Sequence, residues 1–169
     1  PAPEPSSQPV DPAPQPTPAP APPPPVPPPE PPAAAPSPQP GVSNLELRRL
    51  GQWSYTGIRE ARRMVIRDQA SWSQFWPELR IGDQPQVDFT RNVVIAVAAG
   101  QHTSGGHEIA VERASFNDGE LTVHVLETSP GPDCMTTAAL TQPVDVVVVP
   151  AAGARSWSFV ERREARSCR

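Results

Sequence analysis

Val93-Val94-Ile95-Ala96-Val97-Ala98-Ala99 carries no polar residue at either parity. A strand with one wet face alternates apolar and polar side chains, so an unbroken apolar run predicts a strand covered on both faces, the centre of a sheet. A second run, Val144-Asp145-Val146-Val147-Val148-Val149, reads as another strand of mostly buried character. Between the two, residues 107–115 alternate with Ile109 and Val111 inward, and Leu121, Val123 and Val125 repeat the pattern. Asn117-Asp118-Gly119 joins them as a three-residue hairpin loop, a type I turn closed by a left-handed glycine. That loop pairs Phe116 with Glu120, sets Val111 opposite Val125 and puts His124 across from Glu112, as the solvent-side partner of a carboxylate.

Upstream of the central run, residues 44–50 read as extended, and residues 62–67 as a half-buried strand in which Met64 and Ile66 alternate with Arg63, Val65 and Arg67. Asp68 is a suitable N-cap for a short helix, because Trp72, Phe75, Trp76 and Leu79 recur at i, i+3, i+4 and i+7, with Pro77 in or near the last turn. An aromatic stripe at this spacing is core rather than a carbohydrate or lipid platform. Downstream, residues 136–141 are expected to form a turn of helix before Pro143, and residues 156–160 a last strand with Trp157 and Phe159 on one side. The expected fold is α+β: an antiparallel-rich sheet, or a small partly open barrel, with one packed helix, preceded by a disordered Pro-rich tether.

The tether is residues 1–43, and residues 44–169 form the single globular domain. Twenty-one of the 27 prolines lie in residues 1–40, where the charges are Glu4, Asp11 and Glu30 and the larger apolar side chains Val10 and Val26, too few to bury a core. Proline fixes φ and removes the N–H donor, so such a segment is semi-extended and spans on the order of 100 Å. An alternative is a proline-rich arm for SH3-like grooves. The chain begins at Pro1 with neither a Met nor a signal pattern. The expectation is the mature or trimmed form of an exported protein, with a membrane anchor on a lipidated residue upstream.

The formal charge is −4, and −1 once the three tether acids are set aside; all 14 basic residues are Arg. That balance excludes a nucleic-acid binder. Arg162, Arg163, Arg166 and Arg169 alternate with Glu161 and Glu164, which reads as a solvated tail. Cys134 and Cys168 are 34 positions apart, without zinc-type spacing, and predict a disulfide in an oxidising compartment, with two unrelated thiols as the alternative.

No residue receives a catalytic role, and no cofactor or metal is expected. Ser104, His107 and Asp88 or Asp133 lack a nucleophile-elbow context, and His102 and His107 lack a third ligand nearby. The candidate partner-binding loop is His102, Thr103, Ser104, Gly105, Gly106 and His107, where paired glycines permit positive φ and close approach by another backbone. An ordinary strand connection is the other reading.

From Gly51 to Val160 the order of features is Gly51-Gln52-Trp53, the Trp72 and Trp76 helix, Val87-Asp88-Phe89, Ser104-Gly105-Gly106-His107-Glu108-Ile109, the Asn-Asp-Gly hairpin and Ala139-Leu140-Thr141 before Pro143. It resembles the C-terminal domain of the protease complex subunit PrcB. His107 stands where that family commonly has Tyr. The resemblance implies a non-catalytic, extracytoplasmic accessory subunit, periplasmic, cell-surface or secreted, or a lipoprotein, whose partner is a protein such as an extracytoplasmic protease. A small protease inhibitor presenting the Gly-Gly loop, and a metal-dependent enzyme using His102 and His107, are the alternatives.

Overall fold

A computed structural model describes residues 1–3, 9–23 and 42–169. The chain divides into two units, Pro1–Ser37 and Pro38–Arg169. In the first, residues 1–3 and 9–23 have neither helix nor strand and are exposed throughout, as a tether requires; residues 4–8 and 24–41 lie outside the described residues.

The second unit contains β1 (Ser43–Leu45), β2 (Arg48–Trp53), β3 (Ala61–Ile66), α1 (Gln69–Leu79), β4 (Val93–Ala99), β5 (Glu108–Asn117), β6 (Glu120–Pro130), β7 (Val144–Val149) and β8 (Ser156–Arg166). Two four-stranded sheets form, ordered β1-β5-β6-β8 and β2-β7-β4-β3. Every neighbouring pair is antiparallel except β6 and β8, which run parallel. The antiparallel-rich α+β expectation holds, as two stacked sheets rather than one closed barrel.

The double parity of the central run explains the layering. Val94, Ala96 and Ala98 of β4, with Val144, Val146 and Val148 of β7, face α1. Val93, Ile95 and Val97, with Val147 and Val149, face the other sheet and meet Ile109, Val111, Leu121, Val123 and Val125. The order of layers is helix, sheet, sheet, with two cores separated by β4 and β7. Asp68 caps α1 by accepting the Ser71 N–H at 2.7 Å, and those hydrogen bonds hold its carboxyl below the usual value. Trp72, Phe75, Trp76 and Leu79 are buried, each indole N–H donating to a carbonyl, Trp72 to Pro85 and Trp76 to Gly82. Fully burying a side chain such as Leu79 contributes about 2 kcal/mol. Pro77 lies inside the last turn, and the helix stops at Arg80, whose φ of 57° is left-handed.

The hairpin differs from its expected form. The pairs are Asn117 with Glu120 and Phe116 with Leu121, so the loop is the two residues Asp118 and Gly119, both at positive φ (45° and 80°). This is the combination whose twist suits adjacent strands. Val111 nonetheless faces Val125, because a bulge between Val111 and Arg113 absorbs one residue; His124 pairs with Arg113, not Glu112. The inward set therefore changes parity, from Ile109 and Val111 to Ala114 and Phe116.

A second bulge lies in β2, between Arg49 and Gly51. Its effect is to aim both Arg49 and Gln52 across the inter-sheet gap. Gln52 Nε2 donates to the Ile109 carbonyl at 2.7 Å. Arg49 donates through Nε and Nη2 to the two oxygens of Asp145, at 2.8 and 3.0 Å, and through Nη2 to the Val111 carbonyl at 3.0 Å. Asp145, wholly buried, also accepts the Val111 N–H at 2.7 Å. The hydrogen bond to this carboxylate outweighs burial and holds the Arg49 guanidinium above its ordinary pKa. One carboxylate thus ties the two bulges together.

Two further expectations are corrected. Residues 136–141 form no helix, because the main chain of Thr137 and Thr141 bonds to the loop at His102 and Gly105 instead. Arg162, Arg163 and Arg166 are not tail residues but belong to β8, Arg162 and Arg166 being paired with Glu112 and Glu108.

Candidate functional site

The central strand ends at Ala99, and Gly100 turns the chain with φ 88°; a Cβ there would lie 3.2 Å from the Ala61 nitrogen. The next seven residues contain the candidate loop, and hydrogen bonds fix it to two other segments. His102 and Thr141 exchange N–H···O bonds of 2.8 and 2.9 Å, the buried Thr141 hydroxyl donates to the Ser104 carbonyl at 2.9 Å, and Gly105 N–H donates to Thr137 at 3.0 Å. Gln142 N–H in turn donates to the Ser54 carbonyl at 2.8 Å, and the Thr56 hydroxyl to the Gln142 carbonyl at 3.0 Å. Residues 54–58, 101–107 and 137–142 are therefore stitched into one surface at this end of the domain.

The two loop glycines satisfy that geometry. A Cβ on Gly105 would come 2.5 Å from the Thr137 hydroxyl, and Gly106 has φ 86° with Pro130 close by. The N–H and C=O of His102, the Ser104 carbonyl and the Gly105 N–H are thus occupied within the domain. Thr103 and Gly106 are exposed, and on the stitched segments or next to them Tyr55 (63% exposed), Met135 (fully exposed) and Leu140 (56%) stand in solvent. Sequence reasoning missed these three, since an isolated large apolar residue in a loop gives no sign of whether it folds inward.

His102 and His107 stack face to face, ring centroids 3.8 Å apart and 7° from parallel. The Ser104 hydroxyl is 3.3 Å from His107 Nε2, and the buried His102 Nε2 has no hydrogen-bond partner among the described residues. Burial first, then the neighbouring His102, push the His107 pKa below its ordinary 6.5, while Glu127 opposes the shift. Glu127 is engaged by Arg63 at 3.6 Å and Arg163 at 3.9 Å. The unfolded chain therefore takes up the His107 proton at higher pH than the folded domain. Stability from this group is present above about pH 6.5 and lost as pH falls through the lowered folded value. His124 shifts the same way, through burial and Arg113. The expected result is that His107→Gln narrows, without abolishing, the fall in melting temperature between pH 7.5 and 5.5. An equal fall in variant and wild type would refute the contribution.

Ser104 and His107 are brought together, but the acids considered with them are not. Asp88 accepts from the Thr90 N–H and hydroxyl, and Asp133 from the Cys168 N–H at 3.0 Å and the Ser167 hydroxyl at 3.1 Å. Neither orients His107. Among the described residues no group of three or more His, Cys, Asp or Glu side chains is arranged to hold a metal. Two surface hollows of about 250 and 260 Å³, lined by Glu46, Arg48, Asn92, Val148 and Pro150 and by Pro132, Asp133, Ser167 and Arg169, leave the loop untouched.

Cys134 and Cys168 form a disulfide, with Cα atoms 5.1 Å apart, closing the C-terminal residues onto the segment after β6. Such a bridge fits an oxidising compartment. Among the described residues no helix is long and apolar enough to cross a membrane. No curated protein and no solved structure matches the chain. Residues 93–150, from β4 to just past β7, match the family model described as PrcB C-terminal, within the stretch where the resemblance was read.

Proposed function

We propose, from the PrcB C-terminal match across residues 93–150, that the folded unit is a protein-binding module associated with a protease complex outside the cytoplasm. The observation that carries this reading is the stitched surface bearing Tyr55, Met135 and Leu140 beside the loop His102, Thr103, Ser104, Gly105, Gly106 and His107. Exposed aromatic, Met and Leu side chains on a hydrogen-bonded frame offer apolar contact area without a large ordering cost on binding. The Pro-rich segment would hold this surface away from an anchor upstream of Pro1. Accessory binding is favoured over inhibition through the Gly-Gly loop, because an inhibitor of that kind presents its main chain, and here both main-chain groups of His102, the Ser104 carbonyl and the Gly105 N–H are bonded within the domain.

The test is capture of partners from an envelope extract of the source organism, using the full chain as bait with light cross-linking. Enrichment of a protease or its other subunits is expected, together with at least about a tenfold loss for Tyr55→Asp/Leu140→Asp at unchanged melting temperature. These surface changes are preferable to substitutions at Gly105 or Gly106, which would disturb the frame itself. No enrichment of a protease component above a denatured control would sink the reading.

A further inference from the structure

β8 is an eleven-residue strand on the outer edge of its sheet, and its register with β6 runs unbroken from Ser156 opposite Glu120 to Arg166 opposite Pro130. The opposite edge of that sheet is only the three-residue β1. Main-chain groups of a strand point alternately to either side. On β8 the even positions point inward: Ser156 N–H donates to Gly119, the Arg166 carbonyl accepts Gly131 N–H at 2.8 Å, and the Glu164 carbonyl faces the Ser129 hydroxyl. The N–H and C=O groups of Trp157, Phe159, Glu161, Arg163 and Ala165 therefore face outward. Among the described residues, no side chain or loop is bonded to them.

An open edge of this length is a template for another strand. Here its charges select the occupant. We infer that β8 pairs antiparallel with β8 of a second copy of this chain, joining the two sheets across a two-fold axis through Arg162.

Two conditions fix that register. The outward-facing odd positions must bond to odd positions of the other copy, which also keeps Phe159 and Glu161 on the same face in both sheets. Opposite charges must then meet. With the axis through Glu161 or Arg163, each would face its own like charge. With the axis through Arg162, Glu161, whose Oε1 already accepts from Arg63 of its own copy, lies opposite Arg163 of the second copy and offers it the other carboxylate oxygen, and the symmetry repeats the pair. Phe159 then faces Ala165, and Val160 faces Glu164. The two copies of Arg162 meet at the axis, but each already has Glu112 and Glu164 as counter-ions. Arg163 is largely exposed, with only a distant contact to Glu127 at 3.9 Å, so it is free to turn to a new partner. The alternating charges thus set a register rather than merely guarding the edge.

An interface of one strand pair is small and calls for weak, concentration-dependent association. Sedimentation equilibrium of the full chain should show the average mass rising from 18.1 kDa toward twice that value with concentration. Over the same range, hydrogen exchange should slow at the amides of Phe159, Glu161, Arg163 and Ala165 and stay unchanged in β1. Arg163→Glu should weaken association about tenfold or more, by setting two like-charge pairs in place of two attractive ones. Ala165→Pro, which removes an outward N–H unused within the domain, should also weaken it. A monomer at every concentration, or a dimer that leaves those four amides exchanging freely, would overturn the proposal.

Discussion

Asp145→Ala is expected to destabilise the domain by about 3 kcal/mol, lowering the melting temperature by on the order of 10 °C. Two losses add up. The Val111 N–H, bonded to the carboxylate at 2.7 Å, is left without an acceptor in the gap between the sheets, which costs about 1–3 kcal/mol. Arg49 loses both of its bonds to Asp145. Its side chain is 43% exposed against 0% for Asp145, so the guanidinium can turn to water, which keeps the penalty at the lower end for a broken buried pair. Asp145→Asn, retaining an oxygen for Val111, should lie between. Arg49→Met added to Asp145→Ala should cost less than the two single changes summed, because the pair acts as a unit. Chemical denaturation of the wild type and the four variants checks this; a loss below about 1 kcal/mol for Asp145→Ala would show that the sheets register without the carboxylate.

Reducing the Cys134–Cys168 bridge, or replacing Cys134 by Ser, is expected to cost about 3–4 kcal/mol from loop-closure entropy over its 34-residue span. The bridge closes the end of β8 onto the segment after β6, beside the bonds from Cys168 N–H and Ser167 to Asp133. Those bonds should loosen together with it. Calorimetry with and without reductant tests the first part, and hydrogen exchange at Cys168 the second. Equal melting temperatures in both conditions would mean that the parallel β6–β8 pairing alone holds the C-terminus.

The parts of the fold visible in the sequence are those set by runs of similar neighbours. The double parity of residues 93–99 announced a strand between two cores, and the spacing of Trp72, Phe75, Trp76 and Leu79 announced the helix beneath it. The bulges at Leu50 and Glu112 were not visible, since one extra residue leaves the local pattern intact while reversing every side chain beyond it. The hairpin shows how this misleads: a three-residue loop and a two-residue loop followed by a bulge place Val111 and Val125 opposite each other equally well. Asp145 looked like one polar position in an apolar run, because its partner Arg49 lies 96 positions away. Residues 161–166 looked like tail because charges mask their strand periodicity. At the candidate site the loop 102–107 was visible from its glycines. The segment that binds it, including Thr137 and Thr141, was mistaken for helix because those bonds are tertiary.

The placement of β2 bears on how the chain reaches this fold. Among the described residues β7 is the sole strand paired with β2, in pairs such as Gln52 with Asp145 and Trp53 with Val144, so the early strand must wait for the late one. Closing so long a loop before its contacts reward it makes for slow folding, in the millisecond-to-second range of domains dominated by non-local strand pairing. During that interval the apolar run of β4 can pair with β3 yet lacks β7 on its other side. The stretch from which the architecture can be read is thus also the one most in need of protection from aggregation while the chain is incomplete.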